Sequence, residues 1–166
     1  LLSSSDFTVL PGVPTMFHYL LETAKQNKIS NLGNITRCVS AGAIMPATLN
    51  NEYELYFNNL LLDGYGITET STMVTMNWQS NRKIGSCGIP IPGMSVRIIS
   101  PQNVEAAPNE EGELICYGPN LMIGYHNKEE ETKKVFKDKW YYTGDLAKRD
   151  SDGFITITGR LKELII

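Results

Sequence analysis

The residues able to do chemistry gather in three short segments. The densest is Asp63-Gly64-Tyr65-Gly66-Ile67-Thr68-Glu69-Thr70. Tyr65 offers a flat face to a ring. Thr68 offers a hydroxyl and a backbone N–H to a phosphate, and Glu69 offers a hard oxygen to Mg²⁺. Two glycines allow the backbone to approach a ligand closely. The same residues also read as a tight strand-to-helix turn capped by Thr68. The second segment is Tyr141-Tyr142-Thr143-Gly144-Asp145-Leu146. Asp145 could accept two hydrogen bonds from vicinal ribose hydroxyls, or it could be a turn aspartate before a strand. In the third, Gly159-Arg160-Leu161-Lys162-Glu163-Leu164, Arg160 follows a strand-ending glycine. It could reach a phosphate or ribose, or be a solvated surface charge.

Several other chemistries fail on spacing. A dinucleotide fingerprint breaks because Glu69 holds the third glycine position, and no GxxxxGK[ST] loop occurs. A calcium loop around Asp150-Ser151-Asp152-Gly153 would need Lys148 and Gly159 as its first and last ligands. That segment reads instead as a hairpin turn. His18 and His126 have no carboxylate or cysteine at useful spacing. Cys38, Cys87 and Cys116 lie far apart with no CxxC, so neither a disulfide framework nor a zinc site is expected. Met16, Met73, Met76, Met94 and Met122 read as core fillers.

The 166 residues are 42% hydrophobic, enough for one core or for two small subdomains sharing an interface. The net charge of −3 gives no basic excess, so no nucleic-acid partner is expected. Apolar runs are too short to span a membrane, and the N-terminus lacks a signal-peptide layout. A reduced, cytoplasmic protein is the expectation. The chain opens on Leu1-Leu2 and closes on Leu164-Ile165-Ile166. Native termini usually end in polar residues, so a piece of a longer polypeptide is expected.

The first half reads as α/β. Residues 7–10 form an apolar strand stopped by Pro11-Gly12, and Pro14 starts a helix. Met16, Phe17, Leu20, Leu21 and Ala24 recur on one face of it. Residues 37–40 form a second strand ended by Ala41-Gly42-Ala43. Pro46 opens a helix with Leu49, Tyr53, Tyr56 and Phe57 inward. Residues 60–62 form a third strand, then the turn at residues 63–66. Strand, helix, strand, helix, strand implies a parallel sheet. The second half changes to strands at 96–100, 113–117, 146–149 and 154–158, with Ile155 and Ile157 on one face. A short helix capped by Asn127 carries Glu129/Lys133 and Glu130/Lys134 pairs. A Gly-, Pro- and Ser-rich stretch at 81–92 suggests a boundary. The expected division is 1–82, 83–158, and a hinge start at 159–166.

In order, these segments resemble the adenylate-forming superfamily of acyl- and aryl-CoA ligases, luciferases and peptide-synthetase adenylation domains. The resemblance is carried by Ser40-Ala41-Gly42-Ala43, Gly64-Tyr65-Gly66-Ile67-Thr68-Glu69 and Gly85-Ser86-Cys87-Gly88-Ile89-Pro90. It continues through Gly112-Glu113-Leu114, Gly124-Tyr125, Thr143-Gly144-Asp145-Leu146 and Gly159-Arg160-Leu161-Lys162-Glu163. It implies part of a parallel-sheet α/β subdomain followed by a β-rich, barrel-like subdomain. It also implies roles. Tyr65 would stack on adenine, with Asp63 and Gly64 beside it near the amino group. Gly42 and Ala43 would line adenine and the acyl group, and Ala41 stands where many relatives have Gly. Thr68 would contact the α-phosphate and Glu69 the Mg²⁺. Asp145 would accept the ribose diol, Ile157 would pack near the nucleoside, and Arg160 would contact ribose. Lys162 falls at the hinge. The acyl pocket would include Ala41, Gly42, Ala43, Gly66 and Met73.

The implied chemistry has two steps. A carboxylate attacks the α-phosphorus of ATP, giving acyl-AMP and pyrophosphate. CoA or a carrier-protein phosphopantetheine then takes the acyl group. In-line displacement between two anions needs charge neutralisation and alignment more than a protein nucleophile. The family's Ser/Thr/Gly-rich phosphate loop would lie upstream, and the mobile domain with its lysine downstream. These 166 residues alone are therefore expected to be inactive, and an apolar cut face is expected to let them self-associate. Ile67 stands where amino-acid-activating domains commonly have proline. An acyl-CoA ligase acting on a small carboxylic acid is thus favoured. The alternatives are an adenylation or loading domain of a peptide or polyketide synthase, and a non-catalytic nucleotide-binding relative.

Overall fold

The computed structural model describes residues 6–161; Lys162 and the apolar run at 164–166 lie outside them. Strands β1 (Val9–Gly12), β2 (Arg37–Ser40) and β3 (Leu60–Tyr65) alternate with helices α1 (Pro14–Gln26) and α2 (Ala47–Phe57). β1 pairs parallel with β2, and β2 parallel with β3. Proline starts α1, where its missing N–H costs nothing. Phe17, Leu21 and Ala24 are buried and Leu20 partly so, but Met16 is exposed, at the border of the inward stripe. α2 buries Tyr53 and Phe57, and Tyr53 meets Phe17 edge-to-face at 5.4 Å between centroids.

Two local readings shift. β1 begins two residues later than expected and contains Pro11 and Gly12. It lies at the edge of the described sheet, where proline's missing donor is tolerated. Residues 63–65 belong to β3 rather than to a turn. β3 pairs with β2 as far as Asp63, and then Gly64 and Tyr65 pair antiparallel with β4 (Thr75–Met76). β4 in turn pairs with β5 (Ile89–Pro90). Strands two residues long have no periodicity of their own to read.

The second sheet is antiparallel, in the order β10 (Ile155–Arg160), β9 (Trp140–Arg149), β7 (Glu111–Tyr117), β6 (Ser95–Ile99), with β8 (Phe136–Lys137) also on β9. Its core gathers Val96, Ile98, Leu114, Cys116, Ala147 and Ile155. The expected hairpin at 150–153 is present: Asp150 accepts from the Asp152 and Phe154 amides. The segment at 81–92 joins the halves. β5 completes the first sheet, while the Cys87 N–H donates to the Ile155 carbonyl and the Ile155 N–H to Gly88, both at 2.8 Å.

α3 (Glu129–Val135) departs from its expected capping. Asn127 sits at φ +53° with its amide toward His126, and Lys128 occupies the cap with no side-chain bond. The ion pair is Glu130–Lys133, three residues apart, rather than the expected spacing of four. Acidic residues in the first turn and Lys133 and Lys134 in the last suit the helix dipole. Asp145 likewise lies inside β9 rather than in a turn before a strand.

Candidate active site

The carboxyl ends of β2 and β3 open onto a cavity of about 460 Å³, a size usual for small-molecule sites. Its wall takes Gly42, Ala43, Ile44 and Met45 from the loop after β2, and Asp63, Gly64, Tyr65, Gly66 and Ile67 from the end of β3. Gly85, Ser86 and Cys87 close one side. Asp145 of β9 and Thr156, Ile157, Gly159 and Arg160 of β10 close the other. Both sheets therefore meet at the cavity.

Asp145 is the hub. It is buried, and both carboxylate oxygens are engaged: Tyr65 Oη donates to Oδ2 and Arg160 Nε to Oδ1, each at 2.5 Å. Its own N–H donates to Thr143 Oγ1 at 3.0 Å, and the Thr143 hydroxyl donates to the Leu114 carbonyl. The β7–β9 register slips between Glu113 and Ile115, and Gly144 takes φ +72°, a conformation L side chains resist. The Gly144 N–H donates to Glu113 Oε1 at 3.0 Å. Asp145 is thus placed by an irregular strand rather than by a loop. A carboxylate accepts about four hydrogen bonds, so two remain for a vicinal diol. Burial, and then the bond to Asp145, push the Tyr65 phenol well above its ordinary pKa, so it stays a donor.

Asp63 is different in kind. It is buried, and its Oδ1 has no hydrogen-bond partner. Burial pushes the carboxyl up to about 7, opposed by a bond from the Gly64 N–H. A buried acceptor left without a partner is costly.

Thr68 and Glu69 do not line the cavity. They stand on a single 3₁₀ turn, Thr68–Thr70, just beyond Ile67. Thr70 Oγ1 closes this turn, accepting from the Ile67 N–H at 3.1 Å and donating to the Ile67 carbonyl at 2.9 Å. Gly66 is needed where the chain doubles back, because a Cβ there would fall 1.4 Å from the Thr72 carbonyl oxygen. Thr68 is exposed, and Glu69 accepts from Tyr125 Oη at 2.9 Å. Among the described residues no group of three His, Cys, Asp or Glu could hold a metal ion. Mg²⁺ is usually bound by one or two carboxylates plus substrate phosphates. The Glu69 carboxylate has the hard-oxygen chemistry of such a ligand.

Of the remaining nominated residues, Ala41 sits behind the wall with its N–H bonded to the Gly12 carbonyl at 3.2 Å. Met73 is not part of the wall; its Cε fills the space that a Cβ on Gly64 would need, 2.3 Å from that position. Sequence reasoning gave no role to Ile44, Met45, Ser86, Cys87, Thr156 or Gly159. Ser86 and Cys87 lay inside a recognised motif but carry no reactive pattern. Cys87 is buried with its thiol pushed up to about 12, by burial first, so it is a wall and not a nucleophile. Tyr125 was likewise visible in its Gly-Tyr pair, without a partner that spacing could name.

A sequence model of the AMP-binding enzyme family matches residues 1–126. A long-chain-fatty-acid–CoA ligase of Bacillus subtilis (strain 168) is 39% identical over 162 residues, covering 96% of this chain and 29% of the relative. A feruloyl-CoA synthase of an Amycolatopsis species is 34% identical, covering 96% of this chain and 32% of the relative. The chain thus spans about a third of the length of these curated relatives. A benzoate CoA ligase from Burkholderia xenovorans LB400 superposes with a TM-score of 0.89 at 26% identity, over 97% of this chain and 33% of that one. An O-succinylbenzoate coenzyme A synthetase from Bacillus subtilis, solved with ATP and a magnesium ion, gives 0.84 at 29% identity over 96% and 33%.

Proposed function

The chain belongs to the AMP-binding enzyme family, and on that premise we propose that it is the nucleotide-binding part of an AMP-forming acid–thiol ligase. The observation that carries this reading is the Tyr65–Asp145–Arg160 cluster on a cavity wall, with Thr68 and Glu69 on the turn beyond it. In this reading adenine lies between Tyr65 and the Gly42–Ala43 backbone, with its amino group toward Asp63. The ribose diol meets Asp145 and Arg160, and Ile157 packs against the nucleoside. That orientation aims the phosphates at Thr68 and Glu69.

The carboxylate of a small organic acid attacks the α-phosphorus and displaces pyrophosphate. CoA, or a carrier-protein phosphopantetheine, then takes the acyl group. Mg²⁺, when bound, neutralises phosphate charge. Thr68 supplies a donor to the α-phosphate, and Glu69 supplies the carboxylate that locates the metal. The acyl group extends past Gly42, Ala43 and Gly66 toward Ala41 and Met73, and Lys162 begins the hinge. Fatty and aryl acids are favoured as substrates because the relatives are named for them. Three free, buried cysteines fit the cytoplasm, and no described helix is long and apolar enough to cross a membrane. Phe7, Val9, Met16 and Tyr19 are exposed along β1 and α1. These residues support self-association of the 166-residue piece when it is expressed alone; a monomer by light scattering at high concentration contradicts that.

The test is carboxylate-dependent ATP–pyrophosphate exchange by the full-length protein with fatty, aryl and amino acids. Stimulation by a fatty or aryl acid is the expected result. Stimulation by amino acids alone moves the assignment to a synthase adenylation domain. ATP binding without any exchange moves it to a non-catalytic relative.

A further inference from the structure

Glu69 stands on a turn with little to hold it. The 3₁₀ segment is three residues long, and Ser71 and Thr72 after it take φ +49° and +99°. A free glutamate in such a place would sample many rotamers. The segment between β7 and α3 removes that freedom. The Met122 N–H donates to the Glu69 carbonyl at 2.8 Å. Asn120 Nδ2 donates to the Thr70 carbonyl at 2.9 Å and the Met73 carbonyl at 2.7 Å. The Tyr125 hydroxyl donates to Glu69 Oε1 at 2.9 Å.

Tyr125 is itself fixed. Its N–H donates to Thr132 Oγ1 at 2.9 Å, and Thr132 packs so close to Gly124 that a Cβ there would sit 3.0 Å from Thr132 Cγ2. Its hydroxyl lies 3.5 Å from that of Tyr141, which is buried on β9. A tyrosine phenol is protonated at neutral pH and so is able to donate this bond. The orientation of a metal-ligating carboxylate is set by the group hydrogen-bonded to it. The hydrogen-bond partner of Glu69 therefore matters.

We propose that Tyr125 is a positioning residue for Glu69: its hydroxyl fixes Oε1 so that Oε2 is presented to the divalent cation carried by the nucleotide. This rests on the nucleotide and metal roles proposed above. Tyr125 touches neither the reacting atoms nor the cation.

The test uses the full-length protein and Mn²⁺ as the metal probe. Mn²⁺ affinity is read by electron paramagnetic resonance in the presence of the α,β-methylene analogue of ATP. Tyr125→Phe is expected to weaken Mn²⁺ about tenfold, a usual loss for removing the partner of a metal ligand. AMP affinity without metal is expected to stay within about twofold, since the cavity wall is untouched. In a Glu69→Ala background the same substitution is expected to add nothing, because the carboxylate it acts through is gone. Unchanged Mn²⁺ affinity in Tyr125→Phe, or an equal loss in the Glu69→Ala background, would overturn the proposal. If Tyr125→Phe does not fold, Tyr141→Phe carries the test. It removes only the oxygen behind the Tyr125 hydroxyl, and an unaltered Mn²⁺ affinity there counts against the proposal. The metal reading does not require turnover. Wild-type protein that binds Mn²⁺ yet exchanges no pyrophosphate refutes the proposed reaction while the positioning test still runs.

Discussion

The cavity wall and the turn beyond it are adjacent in sequence but built on opposite plans. On the wall, the Asp145 carboxylate is buried and held: Tyr65 and Arg160 both donate to it, and Thr143 and Glu113 hold the strand that presents it, while Asp63 Oδ1 is left without a partner. The turn carries an exposed Thr68 and a Glu69 gripped at one oxygen by Tyr125. A wall built around a buried, firmly held carboxylate is suited to recognising a ligand part that does not change during reaction. A turn with unspent hydrogen-bonding capacity is suited to charge that appears only during reaction. On the proposed function, this difference assigns affinity to one region and rate to the other, although Thr68 follows Ile67 of the wall directly in the chain.

That assignment can be broken by substitution. The largest expected effect is Glu69→Gln in the full-length protein: the rate of pyrophosphate exchange should fall about a hundredfold, typical of losing a group that steadies transition-state charge. A drop below about threefold at saturating Mg²⁺ would remove the turn from catalysis. Next is Asp145→Asn. A hydrogen bond to a charged acceptor contributes about 1.5–3 kcal/mol, so AMP affinity measured by calorimetry should fall at least about tenfold.

Gly66→Ala acts at the junction of the two regions. Its Cβ must displace the Thr72 carbonyl, so a cost of about 1–3 kcal/mol or more is expected, read as a lower melting temperature. An unchanged melting temperature would mean that the wall and the turn are not rigidly joined. Ile157→Val is the smallest change, one methylene from the wall. About a fourfold weaker AMP affinity is expected, with exchange at saturating nucleotide unaltered.

Asp63 sharpens the comparison through pH. Its folded pKa of about 7 lies above its ordinary value of 3.8. The folded form is therefore favoured while Asp63 is protonated, and this contribution is lost as pH rises from about 4 through about 7. Asp63→Asn should then gain in melting temperature over wild type at pH 8 relative to pH 5. Equal differences at both values would show that the carboxyl is solvated.

Much of the scaffold was legible because it follows periodicity. The buried stripes of α1 and α2, the Pro14 start and the parallel order of three strands all follow from local pattern. What was not legible depends on partners distant in the chain. Residues 63–65 look like a turn until Ser40 pairs with Asp63, and Thr75 and Met76 supply the partners of Tyr65 and Gly64. Asp145 looks like a turn residue because Gly144 precedes it, and only the slipped β7–β9 register turns that glycine into a bulge. Asn127 has the composition of a cap, but the backbone enters α3 one residue later. At the site, residues with reactive side chains were nominated from sequence, and Gly42, Ala43, Gly64, Gly66 and Ile157 through the motifs that hold them; Met45 and Ser86, which form wall by shape, were not. Tyr125 escaped for a related reason: its partner lies 56 positions away.

The central claim is that the wall sets nucleotide affinity while the turn sets rate. The most direct measurement compares AMP affinity, by calorimetry without metal, in Asp145→Asn and Glu69→Gln full-length protein. The account predicts at least about a tenfold loss for the first and less than about twofold for the second. Equal losses in the two variants, or a larger loss in Glu69→Gln, would contradict it.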